Sequence, residues 1–101
     1  MTLIEKLEEM YEREEWNPEW FAQIKNALNR AGQGQFEKPG YNFLGWVKRN
    51  DYMPNNDERV LTYTPCVEDE YKYRVMSGQF VKTCTEVEWW IYLHKLGAEK
   101  L

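Results

Sequence analysis

The sequence predicts an α+β fold, with two N-terminal helices packed on a small antiparallel β-meander of four to five strands. Two observations carry this. Apolar residues recur at helical spacing through the first third of the chain, and from Phe43 onward the apolar period changes from 3.6 to 2. Helices and strands segregated in this way define the α+β class. At 101 residues the chain is read as a single domain, with a helical hairpin over 1–32 and a β-sheet module over 43–94.

The first helix is expected over 2–15. Thr2 followed by Glu5 has the spacing of a capping box, in which each side chain satisfies an orphan amide of the other. Leu3, Leu7, Met10 and Tyr11 form an apolar stripe with Ile4 at its edge. Glu5, Glu8, Glu9, Glu12 and Glu15 fall on another face. Asn17-Pro18 opens a second helix over 18–31, because Asn caps well and proline fits the first turn. Trp20, Phe21, Ile24, Ala27, Leu28 and Ala31 make its core stripe, and Gly32 is placed to end it. Residues 32–42 read as a loop.

Strands are expected at 43–48, 59–64, 70–76 and 86–93. Ser77-Gly78 reads as a hairpin turn leading into a further strand, Gln79 to Lys82. In 70–76, Tyr71, Tyr73 and Val75 take one face, and Lys72, Arg74 and Met76 the other. In 86–93, Val87, Trp89, Ile91 and Leu93 face the helices, while Glu88, Trp90 and Tyr92 point away. The predicted core includes Leu7, Phe21, Ile24, Leu28, Val60, Trp89 and Ile91. Gly97 to Leu101 reads as a frayed tail.

Aromatic residues make up 16% of the chain, enough to build one modest core in a domain of this size. No apolar run approaches the roughly 20 residues of a membrane span. The acidic first residues lack the order of a signal peptide, so the chain is expected in the cytoplasm of its producer or host. The net charge of −4 comes from the first segment. Residues 1–20 hold seven Glu against Lys6 and Arg13, a net of −5, and the remainder is nearly neutral. Direct nucleic-acid binding, which needs a basic face, is not expected.

The residues for catalysis or for holding a metal are not assembled in any recognisable pattern. Cys66 and Cys84 are read as free thiols, and the single histidine, His94, completes neither a zinc site nor a nucleophilic pair. Glu68-Asp69-Glu70 lacks the glycine and ligand spacing of a calcium loop and reads as a polar turn. Gly32 and Gly34 follow a helix instead of opening one, the wrong side for phosphate. The expectation is a non-enzymatic chain without cofactor or metal.

Two surfaces remain as candidates. The ridge Glu5, Glu8, Glu9, Glu12 and Glu15 is either the solvated face of an amphipathic helix or a surface for a basic partner. Its carboxylates, about 5–6 Å apart, would compete with phosphates for Lys and Arg. The aromatic set Trp46, Tyr71, Tyr73, Trp90 and Tyr92 is either a second core layer under loops or an exposed patch, rich in the residues that anchor interfaces.

Trp46, then Met53-Pro54, then Arg59-Val60-Leu61 match, without a gap, a short bacterial and phage domain that begins Trp-Ile-x-Val and continues to Leu-Pro and Arg-Val-Leu-Val. Val87-Glu88-Trp89-Trp90-Ile91-Tyr92-Leu93 is similar to its closing Val-Thr-His-Trp-Met-Pro-Leu. Residues 46–93 thus resemble the family called domain of unknown function 551. Trp89 stands where that family has His, and Tyr92 where it has Pro. The resemblance implies a small β-rich module common in phages and prophages, and no activity.

The leading expectation is therefore a phage or prophage accessory protein that binds another protein, host or phage. Its most specific form is an inhibitor of a host defence complex, similar to an anti-CRISPR protein, that engages a basic nucleic-acid-binding surface. The alternatives are a module that binds a nucleobase-like ligand in an aromatic pocket and a self-associating structural module. Either a monomer or a homodimer fits, with no membrane partner.

Overall fold

The computed structural model describes residues 2–14, 18–30 and 46–96. Helix α1 spans Leu3–Arg13 and is started by the expected capping box. The Glu5 amide donates to Thr2 Oγ1 at 3.2 Å, and the Thr2 amide donates to Glu5 Oε1 at 3.0 Å. Leu3, Leu7 and Met10 are buried along one stripe. The helix ends at Glu14 with φ 53°, in the left-handed region that non-glycine residues seldom occupy. Helix α2 spans Pro18–Arg30 and buries Ile24, Ala27 and Leu28. Trp20 and Phe21 pack against the same core and remain partly buried. The expected positions Glu15, Asn17, Ala31, the loop at 32–42 with Gly32 and Gly34, the first strand residues 43–45 and the tail at 97–101 lie outside the described residues.

Four antiparallel strands follow: β1 (Val47–Lys48), β2 (Arg59–Tyr63), β3 (Tyr73–Ser77) and β4 (Trp89–Tyr92). The α+β class and the strand number agree with the sequence reading. The order in the sheet is β1-β4-β2-β3, so the last strand is interior and not at the end of a simple meander. β4 pairs with β2 on the side that β3 leaves free, placing Leu61 opposite Ile91 and Thr62 opposite Trp90. Four alternating runs in sequence do not encode which strand becomes interior. From its interior position β4 sends the buried Ile91 to one face of the sheet and the buried Trp90 to the other.

Side chains alternate across the sheet, and both faces are covered. Leu61, Tyr63, Tyr73, Val75 and Ile91 join the helical residues Leu3, Leu7, Met10, Ile24 and Leu28 in the main core. Val60, Met76 and Trp90 point the other way and meet Val81 and Val87 in a second, smaller core. Val87 is therefore a correction: expected with Trp89 and Ile91, it precedes β4 and packs on the opposite face. Expected core positions Leu7, Ile24, Leu28, Val60 and Ile91 are buried, and Phe21 and Trp89 are partly buried against them.

Two short helices replace expected extended chain. Helix α3 (Asp69–Lys72) takes the first residues of the strand expected at 70–76, so Tyr71 sits on a helix and not beside Tyr73. The Lys72 ammonium donates to the carbonyls of Pro65 (3.3 Å) and Val67 (2.7 Å), closing the turn before α3. α2 lies against α3, and α1 lies against β3; between the two N-terminal helices the Lys6 ammonium is 3.9 Å from the centre of the Trp20 ring.

Helix α4 (Gly78–Thr83) stands where the hairpin turn and the strand Gln79 to Lys82 were expected. Ser77 Oγ accepts from the Phe80 amide at 3.3 Å and caps the helix. Gly78 is required here by close approach: a Cβ would lie 1.9 Å from the Asn55 carbonyl oxygen. The helix end is held by Arg49, whose Nε and Nη2 donate to the Val81 and Lys82 carbonyls, each at 3.0 Å. Among the described residues no helix is long and apolar enough to cross a membrane.

Gly78→Ala should destabilise the protein by about 3 kcal/mol, at the upper end for overpacking, because the opposing atom is backbone. Gln79→Ala, next to it and exposed, should stay within about 0.5 kcal/mol. Urea denaturation of both variants measures this. Equal stabilities would mean that residues 52–58 are not seated on α4.

Candidate functional site

The acidic face of α1 is largely engaged within the chain. Glu5 caps the helix, and its hydrogen bonds from Thr2, the backbone amide first and the hydroxyl second, hold its carboxyl below the ordinary value. Glu9 is half-buried and lies 3.4 Å from Arg13 and 4.0 Å from Lys6. Glu12 Oε1 is 3.9 Å from Arg59 Nη1, and the Arg59 guanidinium also covers the Tyr11 ring at 4.6 Å. These pairs are partly exposed and contribute little stability each, at most about 1 kcal/mol. Glu8 is exposed. Glu15 lies outside the described residues.

The aromatic set does not form one exposed patch. Trp46, Tyr73 and Trp90 are buried, Tyr92 is half-buried, and only Tyr71 is exposed, at 41%. Tyr73 packs between Phe21 (ring centroids 5.5 Å apart) and Tyr63 (5.2 Å). Trp90 meets Tyr92 edge-on at 4.9 Å and donates from Nε1 to the Tyr52 carbonyl at 2.8 Å. The Tyr92 hydroxyl accepts from the Asn55 amide at 3.1 Å. These two polar contacts fasten residues 52–55 over the second face of the sheet. Trp90 and Tyr92 thus belong to the second core layer, whereas Trp46 and Tyr73 lie in the main core and Tyr71 faces solvent.

The chemistry-bearing side chains are dispersed. His94 is exposed, stacks on Tyr92 and faces Glu58 at 3.4 Å. Cys66 is exposed, and Cys84 is half-buried with its Sγ 3.9 Å from Arg74 Nη2. Neither thiol forms a disulfide. Among the described residues no group of three or more His, Cys, Asp and Glu is gathered to hold a metal ion.

What the fold does assemble is a groove of about 670 Å³ at the outer edge of β3. Tyr11, Glu12 and Glu14, at the end of α1, form one side. Arg74 and Met76 of β3 and Phe80 of α4 form the other, with Val75 and Ser77 between. Phe80 is 55% exposed, a large apolar ring turned to solvent. The groove exists because α1 packs on one face of β3 and α4 on the other, while among the described residues no strand continues the sheet beyond it. Glu14, Arg74 and Phe80 were not singled out from sequence. Phe80 was assigned to a strand, and the available signal was Ser77, a helix-capping residue with a backbone amide three residues on.

No family model, curated protein or solved structure matches the chain. Trp46, Val60, Leu61, Trp90 and Ile91 are buried and do not line the groove.

Two expectations follow. Trp90→Ala should cost about 3–5 kcal/mol of stability, the loss typical of a buried large aromatic, measured by thermal unfolding. A well-folded variant would contradict its place in the second core. The Glu5 carboxyl, held low when folded, adds stability above its ordinary value of 4.5 that is lost as pH falls through the lower folded value. Glu5→Gln should therefore flatten the fall in stability between neutral pH and pH below 4.5. An unchanged profile would show that the capping box is not formed in solution.

Proposed function

We propose that this chain works as a protein-binding module and that the groove between α1 and α4 is its contact surface. The observation that carries the reading is an exposed phenylalanine beside a sheet edge that no described strand pairs. Phe80 lies on one side of the groove, and the carboxylates of Glu12 and Glu14 lie on the other. A desolvated aromatic anchor within a polar rim is the usual anatomy of an interface. The concentration of negative charge in the first 20 residues favours a basic partner. In its most specific form the module is a phage or prophage accessory protein that occupies the basic nucleic-acid-binding surface of a host defence complex. That form is supported by the acidity of α1 and by the resemblance of residues 46–93 to a phage family.

Site-specific photocrosslinking tests this reading. A benzoylphenylalanine in place of Phe80 should capture a basic protein in host cells, and the same probe in place of Tyr71 should not. Capture should weaken with added salt, because exposed charges are screened within about 10 Å at 0.1 M. No adduct from position 80, or equal adducts from both positions, would overturn the assignment of the groove.

A further inference from the structure

We infer that the groove takes an extended strand of its partner, added to the edge of β3, with side chains that alternate between basic and apolar. This rests on the reading of the groove as a protein contact and names what enters it.

The hydrogen-bond phase of β3 supplies the backbone half of the argument. The Lys72 carbonyl accepts from Thr64 at 2.9 Å, and the Gly78 amide donates to Glu58 at 2.8 Å. Residues at even positions from 72 to 78 therefore turn their amides and carbonyls toward β2, and odd positions turn theirs outward. The Ser77 carbonyl opens the α4 hydrogen-bond series. That leaves the Val75 amide, the Val75 carbonyl and the Ser77 amide directed away from the sheet, and none of them pairs with a described residue. Such a row is the template that strand addition uses.

The two walls supply the side-chain half. They lie on opposite faces of the sheet, so an added strand sends alternate side chains to each. On the α1 face it meets Glu12 and Glu14. Arg59 is paired to Glu12, while no described cation pairs with Glu14. On the α4 face it meets Phe80 and Met76, together with the Arg74 guanidinium. Arg74 repels a cation on that face, which reinforces the alternation. A second copy of this chain fits less well. Pairing two β3 edges antiparallel sets the same faces side by side, and the Glu12 and Glu14 walls of the two copies then repel.

Fluorescence anisotropy with labelled hexapeptides tests the proposal. A Lys-Val alternating peptide should bind, and a Glu-Val peptide should bind far less. N-methylating one alternate set of its amides should weaken binding more than about tenfold, whereas methylating the other set should not, because only one set faces β3. Glu14→Asn, which keeps a residue tolerant of the left-handed conformation, should weaken the Lys-Val peptide about threefold to fivefold. Phe80→Ala should weaken it about tenfold. Equal effects of the two methylated sets, or equal binding of the Glu-Val peptide, would overturn strand addition. So would concentration-dependent dimers in sedimentation that are lost on Phe80→Ala, since the occupant would then be a second copy. If position 80 still crosslinks a partner while the peptides fail to discriminate, the strand proposal falls and the protein-binding reading stands.

Discussion

Val60, Leu61, Thr62 and Tyr63 are buried one after another in β2, and a strand can do this only where both faces of its sheet are covered. The rest of the structure answers that requirement. α1 and α2 cover the face of Leu61 and Tyr63. Val81 of α4, with Val87, covers the face of Val60. Each apolar side chain of this size removed from water contributes roughly 1.5–3 kcal/mol. The one polar member, Thr62, is accommodated because its hydroxyl donates to the Arg74 carbonyl at 3.0 Å.

Covering the second face with so little chain needs specific anchors. α4 is six residues long and cannot be stable by itself. Ser77 caps its start, Arg49 takes carbonyls at its end, and Gly78 lets the 55–58 segment approach its backbone. Trp90 and Tyr92 use the polar ends of otherwise apolar rings to hold residues 52–55 in place. The amphipathic character of these aromatics, which on a surface would suggest recognition, here serves closure.

A sheet covered on both faces has only its edges left to offer a partner. β1 is two residues long and presents little. β3 is five residues long, and it lies between the ends of two helices that differ in chemistry: α1 brings carboxylates, α4 a phenyl ring. The candidate site is therefore a by-product of how the two cores are closed, and its polarity follows from which helix closes which face.

The sequence by itself determined both N-terminal helices, the class of the fold and most of the main core. Capping residues and 3.6-residue spacing act locally, as Thr2, Glu5, Leu3, Leu7 and Met10 do within a few turns. The β-forming residues of 59–64 and the alternation in 86–93 likewise marked strands before any partner was known. Tertiary structure decided what local rules leave degenerate. Ser77-Gly78 suits a hairpin turn and a helix start equally, and contact with Asn55 selects the helix. A buried Trp90 and an exposed one look the same in sequence, because the covering loop is distant in the chain. The groove was illegible for the same reason. Glu14, Val75 and Phe80 are brought together at the edge of a sheet ordered β1-β4-β2-β3, an order that joins segments distant in the chain and that no local stretch of residues specifies.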